Sequence, residues 1–233
     1  MFYLEVGNST FKLAQRRSDE TFRIERFSEA SHLLEKLSSF SDHVTVAPVA
    51  GERAAHLLPL LSGFNPNVLD NQDFNFFIDN SYDTPHTLGL DRILNLFALE
   101  EDAVVISCGT AITIDALSQG SPYWGAILPG FNTAGKGLVA GAPALPEVAV
   151  TDLDGLPART SRGSVANGIY IGTAFAVRGI AAYLAQAVGL SDKAPIVLTG
   201  GDARLLAELW GDEPYVTVVP DLLFQGMYRF RPG

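Results

Sequence analysis

Two stretches of similar sequence decide the fold: LEVGNSTFKLA at residues 4–14 and ISCGTAITIDA at residues 106–116. Each has an apolar run, a turn with a glycine and a small polar residue, and a second apolar run, which is typical of a β-hairpin. The two glycines, Gly7 and Gly109, lie 102 positions apart. Because this interval has the size of a small domain, the pattern predicts a duplicated fold whose halves open with the same hairpin.

The sequence around these hairpins alternates between strand and helix patterns, which predicts an α/β protein. We expect two subdomains, residues 1–102 and 103–233. In the first, helices are expected at Ser28–Ser39, 51–61 and Leu88–Glu101, with Thr87 as a cap of the last. A short strand is expected near Phe76–Ile78. In the second, Asn132–Pro146 is dense in Gly, Ala and Pro and is expected to line a site, and Ser164–Val188 is expected to be a long apolar helix.

Composition indicates a chain that buries a sizeable core. Of its 233 residues 47% are hydrophobic, and the mean hydropathy is +0.18. The net charge of −10 argues against a protein that coats nucleic acid or an anionic membrane, because both need a basic surface. Cys108 is the one cysteine, so no internal disulfide can form, and the N-terminus lacks the pattern of a secretory signal. We therefore expect a cytoplasmic protein.

One apolar segment, Gly168–Leu190, is long enough to cross a membrane. Arg178 and Gln186 interrupt it. Charged and polar residues are rare in membrane spans, so the segment is interpreted as a buried or interface helix rather than a transmembrane one.

Three glycine turns are candidates for phosphate binding: Gly7-Asn8-Ser9, Gly109-Thr110 and Gly200-Gly201. Phosphate is held by backbone N–H groups that a side chain at Cβ would obstruct. Any one of these turns is more readily explained by tight chain reversal, but three of them at strand ends favour a nucleotide cleft between the halves. Lys12 is a candidate phosphate ligand, with a solvated lysine on an edge strand as the alternative.

The segment from Tyr82 to Arg92 contains the candidate catalytic group. Pro85 fixes the entry to a helix, and Asp91 falls in its first turn. Asp91 is either a general base beside the cation of Arg92 or a carboxylate that stabilises the helix start, and the residues alone leave both open. The histidines show no metal-ligand spacing, and a single cysteine argues against a zinc site.

Together these segments resemble the type III pantothenate kinases of the acetate-kinase/Hsp70/actin superfamily, from Leu4 to about Gln225. The resemblance lies in five motifs in the family's order: D-x-G-N-[ST]-x-x-K at Glu5–Lys12, Y-x-x-P-x-x-x-G-x-D-R at Tyr82–Arg92, D-x-G-T-A-x-T-x-D at Ser107–Asp115, G-[GA]-x-I-x-P-G at Trp124–Gly130 and T-G-G-D-A at Thr199–Ala203.

The resemblance implies two RNase H-like, actin-like ATPase subdomains with a cleft between them. It implies ATP-dependent phosphorylation of pantothenate, the first step of coenzyme A biosynthesis, by a homodimer that packs through its long helices. Asp91 would be the catalytic base. The residues implied to contact pantothenate are Tyr82, Gly89, Leu90, Arg92, Thr160 and Ser161. Those implied to hold ATP with Mg²⁺ are Glu5, Val6, Gly7, Asn8, Ser9, Thr10, Phe11, Lys12 and Thr110, with Glu5 also a possible metal contact.

Two departures from the family pattern matter for the site. Glu5 replaces an Asp in the first motif, and Ser107 replaces the Asp that helps bind a monovalent cation, usually potassium. A neutral hydroxyl should bind that cation more weakly, so cation dependence stays open. The main hypothesis is an active kinase. The alternatives are a degenerate relative that acts as a binding or regulatory subunit, and a superfamily kinase with another small hydroxylated substrate.

Overall fold

The computed structural model describes residues 1–40, 43–75, 77, 82–118, 123–191 and 193–230. They form two compact units: Met1–Glu100 with the segment from Asp221 onward, and Glu101–Pro220. Each unit contains a five-stranded mixed sheet. The expected short strand near Phe76–Ile78 falls largely outside the described residues.

In the first unit the described chain forms five strands and four α-helices. The strands are β1 (Phe2–Val6), β2 (Phe11–Arg16), β3 (Phe22–Phe27), β4 (Val44–Ala47) and β5 (Asn67–Val68). The helices are α1 (Ala30–Ser38), α2 (Gly51–Leu57), α3 (Leu90–Phe97) and α7 (Leu222–Arg229), with short 3₁₀ helices at Leu58–Phe64, Asn71–Phe74 and Pro85–Thr87. The order in the sheet is β3-β2-β1-β4-β5.

The second unit repeats this layout. Its strands are β6 (Ala103–Cys108), β7 (Ala111–Leu117), β8 (Trp124–Pro129), β9 (Ile196–Thr199) and β10 (Val216–Val218), in the order β10-β9-β6-β7-β8. Its helices are α4 (Phe131–Gly141), α5 (Ser161–Ala187) and α6 (Ala203–Trp210), with a 3₁₀ helix at Val150–Asp152. In each unit an antiparallel three-stranded meander is extended by two parallel strands. The predicted duplication is confirmed.

Each hairpin strand that begins a unit lies in the middle of its sheet. All five residues of β1 are buried, and in β6 only Ser107 is partly exposed. A central strand covered on both faces needs a continuous apolar run, which explains why these two segments lack alternation of polar and apolar residues. One core packs β1 and β2 against α1 and α2, and the other packs β6 and β7 against α5.

Helix α7 packs within the first unit, although the division at residue 102 had assigned it to the second subdomain. It contacts α3 and β1, and the side chains of Phe224 and Tyr228 lie against Phe22. Gly226 lets the two helices approach, because a Cβ there would overlap the carbonyl of Leu94. The apolar face of α7 is thus buried against α3 and β1, which lie far from it in the sequence.

The predicted cap of α3 was wrong. Thr87 does not cap α3, because Pro85–Thr87 forms a separate 3₁₀ turn and Gly89 is the residue before the helix. Most of Asn132–Pro146, the segment expected to line a site, belongs to helix α4. Phe131, at the start of α4, stacks on Tyr170 of α5 with ring centroids 5.4 Å apart, so packing there overrides the low helix propensity of the glycines.

Helix α5 is buried on one face and exposed on the other. Its exposed face carries Phe175 and Tyr183, each 68% exposed, beside Gly168, Gly172 and Gly179, where an added Cβ would meet nothing within 4 Å. By length and composition it is the helix of the described chain that is apolar enough to span a membrane, a property shared with core helices of soluble proteins. The exposed face is therefore an apolar stripe with room for close approach.

Candidate functional site

The first glycine turn, Gly7–Thr10, joins β1 to β2 and is closed by a backbone hydrogen bond. The N–H of Gly7 donates to the carbonyl of Thr10 at 3.1 Å. Gly7 is buried at the end of β1, whereas Asn8 and Ser9 are exposed. Asn8 and Ser9 are thus exposed to solvent at the end of a hydrogen-bonded hairpin, and a phosphate-binding turn must be exposed in this way.

Glu5 and Lys12 form an ion pair across this hairpin. They face each other in the register of β1 and β2, and Lys12 Nζ lies 3.0 and 2.9 Å from the two carboxylate oxygens of Glu5. Glu5 is only 8% exposed. Because β2 lies between β1 and β3, Lys12 is not on an edge strand, so the alternative of a solvated edge lysine is wrong.

Arg53 of α2 supports the same turn and was not singled out in the sequence. Its Nη1 donates to the carbonyl oxygens of Gly7 at 2.9 Å and of Asn8 at 3.0 Å, and its Nη2 to that of Ser28 at 3.4 Å. Its guanidinium carbon lies 4.1 Å from the ring centre of Phe11. The acceptors are backbone oxygens, which have no sequence signature, so no motif could have revealed this contact.

The substrate motif forms a turn that leads into α3. Gly89 precedes the helix and Asp91 lies in its first turn, which both interpretations of Asp91 require. A Cβ on Gly89 would lie 2.6 Å from Asp91 Oδ1, so the carboxylate occupies space that a glycine leaves open. Leu90 is buried, and Arg92 is a buried cation at 6% exposure, whereas Tyr82 is partly exposed. Residues 82–92 thus bring a carboxylate and a guanidinium to one helix start.

Asn71 holds this turn from outside the motif and was also missed. Its Nδ2 donates to the carbonyl oxygens of Pro85 at 3.2 Å and Leu88 at 2.6 Å. Asn71 is itself fixed in a short 3₁₀ helix with a capping box, in which Asp70 accepts from the N–H of Gln72 at 2.6 Å. The position of the motif turn therefore depends on a side chain eleven residues upstream of Tyr82.

In the second unit two of the glycine turns and the Pro-Gly turn come together. The carbonyl of Cys108 accepts from the N–H of Asp202 at 3.1 Å, and that of Thr110 accepts from the N–H of Gly130 at 3.0 Å and from Thr133 Oγ1 at 2.6 Å. Gly200 has φ +92°, and a Cβ there would overlap the Cys108 carbonyl. Three motifs far apart in sequence thus meet around the hairpin of Thr110.

Burial controls the titration of two groups beside this hairpin. It raises the pKa of the Cys108 thiol to about 12, and the nearby carboxylate of Asp202 adds to the effect. Burial also raises the pKa of Asp202. Since thiolate is the reactive form of cysteine, Cys108 is a packing residue and not a nucleophile.

Ser107 has hydroxyl-bearing neighbours on both sides. In the sheet register it lies opposite Thr113 of β7 and Thr199 of β9. Further along β7, Asp115 is buried and accepts a short hydrogen bond from the hydroxyl of Tyr123. The position of the family's cation-binding Asp is thus flanked in register by neutral residues.

The residues at the start of α5 have distinct roles. Thr160 is the N-cap, and its Oγ1 accepts from the N–H of Gly163 at 2.9 Å, whereas Ser161 is the first residue of the helix. The two exposed hydroxyls are adjacent in this second unit, while the motif of Asp91 belongs to the first.

Within the described ranges no group of three or more His, Cys, Asp or Glu side chains is placed to hold a metal ion. Magnesium in kinases is held by few carboxylates together with substrate phosphates and water. The single carboxylate of Glu5 beside the first turn fits such an ion only as a minor contact, because both of its oxygens accept from Lys12.

Comparison with known proteins identifies relatives along the whole chain. A family model described as type III pantothenate kinase matches residues 1–183. A type III pantothenate kinase of Synechococcus elongatus is 37% identical over 147 residues, which cover 61% of this chain and 58% of that protein. One of Desulfovibrio desulfuricans is 28% identical over 255 residues, covering 98% and 95%. The chain thus matches less than two thirds of the length of the first of these relatives and nearly all of the second.

Two solved structures share the fold. A protein named as a Baf family transcriptional activator from Campylobacter jejuni superposes with a TM-score of 0.65 at 22% identity, covering 99% of this chain and 96% of that one. The ethanolamine utilization protein EutJ from Carboxydothermus hydrogenoformans gives 0.53 at 13% identity, covering 99% and 89%. At these identities the likeness concerns the fold alone, and it confirms the predicted actin-like fold.

The ion pair of the buried Glu5 with the partly exposed Lys12 predicts a measurable effect on stability. Lys12→Met removes the cation beside the buried Glu5 carboxylate and should lower the free energy of unfolding by about 2 kcal/mol. The double variant Glu5→Gln/Lys12→Met should recover most of that loss, because the uncompensated charge is gone. Urea denaturation monitored by circular dichroism measures both.

The matched control for this pair is Lys36→Met. Lys36 pairs with Glu25 at 3.0 Å with both side chains about a third exposed, so its loss should cost under ~1 kcal/mol. Equal destabilisation by the two single variants would contradict the importance assigned to the buried carboxylate of Glu5.

Proposed function

The chain belongs to the type III pantothenate kinase family, and on that premise we propose that it transfers the γ-phosphoryl group of ATP to pantothenate. The product is 4′-phosphopantothenate, in the first step of coenzyme A biosynthesis. The observation that carries the proposal is the start of α3, where Gly89 makes room for the Asp91 carboxylate and the next residue, Arg92, is a buried cation. A general base and an anion anchor are the groups this transfer needs.

The transfer exchanges one phosphorus–oxygen bond for another. The 4′-hydroxyl oxygen of pantothenate forms a bond to the γ-phosphorus, and the bond from that phosphorus to the β–γ bridging oxygen breaks, which releases ADP. Asp91 accepts the proton of the hydroxyl. Little further covalent chemistry is needed from the protein, so catalysis depends on positioning and on stabilising charge.

ATP is proposed to bind at the two glycine hairpins. Backbone N–H groups of the first hairpin, residues 5–12, and the turn at Thr110 would hold the phosphates. When bound, Mg²⁺ neutralises phosphate charge, and it would be held mainly by those phosphates, with Glu5 as a minor contact. For Lys12 to contact phosphate, its ion pair with Glu5 must loosen. The ammonium group of Lys12 would then divide its contacts between the Glu5 carboxylate and the nucleotide phosphates.

Pantothenate is proposed to bind at residues 82–92 and at the start of α5. Arg92 would pair with its carboxylate, and a buried guanidinium makes such a charge-assisted pair strong. Leu90 is buried, so it would contact the substrate through its backbone. The remaining contacts would come from Tyr82, Gly89, Thr160 and Ser161.

The alternatives have less support. The relatives named above by sequence are pantothenate kinases, and none of the comparisons favours a degenerate binding or regulatory subunit. The name of the Campylobacter structure describes that protein. For another small hydroxylated substrate there is no comparison in favour, and this chain retains the family's Tyr82–Arg92 motif.

We further propose that the protein is a cytoplasmic homodimer that binds neither nucleic acid nor membrane. The exposed stripe of α5, with Phe175 and Tyr183 beside glycines, is a large apolar surface for a monomer to leave in water. A second copy of the same stripe is its best partner, since small residues allow two helices to approach closely.

Asp91→Asn tests the proposed function. The variant keeps the size of the side chain but removes the proton acceptor, and we expect kcat to fall by about 10²–10⁴ with the melting temperature nearly unchanged. A coupled ADP-release assay with pantothenate measures the rate. Turnover within about threefold of the wild type would make Asp91 a helix-stabilising residue only.

Ser107 leads to a prediction on monovalent cations. With neutral residues at Ser107 and at its register neighbours Thr113 and Thr199, a hard cation lacks the carboxylate that would compensate its lost hydration. We expect the initial rate to be nearly the same when K⁺ or NH₄⁺ replaces Na⁺ at constant ionic strength. Ser107→Asp should introduce activation by K⁺. A saturable, many-fold activation of the wild type by K⁺ would contradict this reading.

The dimer is tested by Gly179→Leu. A bulky side chain in the middle of the α5 stripe should weaken dimerisation, detected by light scattering at micromolar concentration, and raise the KM for pantothenate. Gly63→Leu is the control, because Gly63 is also an exposed glycine with open space around its Cβ position but lies in the first unit. A fully active wild-type monomer would overturn the proposal.

A further inference from the structure

Arg53 holds the first hairpin by two adjacent carbonyl groups, and we propose that it is a positioning residue for ATP binding. The contacts are those of its Nη1 with the oxygens of Gly7 and Asn8, at 2.9 and 3.0 Å. This inference rests on the proposed assignment of the Gly7–Thr10 turn to ATP phosphates. Arg53 is not a catalytic residue, since it acts through the backbone of the turn.

Peptide geometry explains what these contacts do. In a trans peptide the carbonyl and the N–H of the next residue point in opposite directions. Cis peptide bonds of the described chain occur only at Leu156-Pro157, so the units Gly7-Asn8 and Asn8-Ser9 are trans. Because Arg53 draws both carbonyls to one side, the N–H groups of Asn8 and Ser9 point to the other side of the turn. Two successive N–H groups on one side form the kind of concavity that binds anions.

The second hairpin supports this interpretation by its construction. In the sequence repeat Thr110 occupies the position of Asn8. The carbonyl of Thr110 is held from behind as well, by the N–H of Gly130 and the hydroxyl of Thr133. In both turns the equivalent carbonyl thus accepts hydrogen bonds. The carbonyl of Thr110 accepts them from Gly130 and Thr133, and the carbonyl of Asn8 accepts one from Arg53.

The position of the Arg53 guanidinium beside the turn is itself fixed by two contacts. Helix α2 is attached to the end of β1 by a hydrogen bond from the N–H of Ala50 to the carbonyl of Val6 at 2.8 Å. The guanidinium stacks over the ring of Phe11, which restricts its rotation. A guanidinium can donate to two acceptors at once in a fixed plane, whereas an ammonium group cannot reproduce that geometry.

The inference predicts a selective kinetic effect. Arg53→Ala should raise the KM for ATP about tenfold, because the turn loses the orientation of its N–H donors. The KM for pantothenate should stay within about twofold, and kcat should fall by less than about threefold, since Asp91 and the substrate motif are held separately by Asn71. Arg53→Lys should give an intermediate KM for ATP, and guanidinium at low millimolar concentration should partly rescue Arg53→Ala.

Arg229→Ala is the matched control. Arg229 makes the same type of contact in the same unit, its Nη1 donating to the carbonyl oxygens of Ala98 at 2.7 Å and Leu99 at 2.9 Å beside the ring of Phe97. Both alanine variants should lower the melting temperature by a similar amount. Only Arg53→Ala should change the KM for ATP. Equal KM values for ATP in the two variants would overturn the role of Arg53, and if Arg53→Ala does not fold, Arg53→Lys against Arg229→Lys gives the same comparison.

A separate measurement tests the assignment on which the inference rests. In the wild type, the backbone amide resonances of Asn8 and Ser9 should shift when a non-hydrolysable ATP analogue is added. Without such shifts the hairpin is not a phosphate site, and the proposed ATP site fails together with the role of Arg53. Shifts in the wild type combined with an unchanged KM in Arg53→Ala would refute the role of Arg53 alone.

Discussion

A peptide unit cannot present its carbonyl and its N–H to the same side, and the two glycine hairpins depend on this constraint. A turn that offers N–H groups to an anion must have its carbonyl oxygens satisfied elsewhere. In the second unit the Pro-Gly turn and the helix that follows it satisfy the carbonyl of Thr110. In the first unit Arg53 of α2 satisfies those of Gly7 and Asn8. Helix α2 and the turn at Gly130 are therefore placed where they supply hydrogen-bond donors to the carbonyl groups of the two hairpin turns.

The two units share a strand order but differ in charge at equivalent places. On the first hairpin the charges of Glu5 and Lys12 cancel each other in a partly buried pair. In the second unit Ser107 takes the place of Glu5 and lies opposite Thr113 in the register of β6 and β7, and both of these residues are uncharged. Duplicated frameworks can diverge in this way because the hairpin is held by its backbone and its core, so its polar positions are available for separate roles.

Much of the fold could be predicted because its signals are local. The strands of both hairpins follow from apolar runs around a glycine turn, and the motif of Tyr82–Arg92 located Asp91 at a helix start. The helix α4 could not be predicted, since its glycines disfavour a helix and the packing that compensates, including the stacking of Phe131 on Tyr170, joins residues far apart in sequence. Arg53 and Asn71 were missed for a different reason: both bind backbone oxygens, and any residue type supplies those. The packing of α7 in the first unit depends on contacts between residues far apart in sequence.

That last contact links the order of synthesis to the completion of the fold. The sheet of the first unit and α3 are translated early, yet the helix that packs on them, Leu222–Arg229, follows the whole second unit in the chain. Until it emerges from the ribosome, Phe22 and the neighbouring apolar surface stay uncovered, and nascent chains with such surfaces are prone to aggregate or to need chaperones. The second unit, by contrast, is a continuous stretch and contains all of its own strands and helices. The second unit can therefore complete its fold during synthesis before the first unit can.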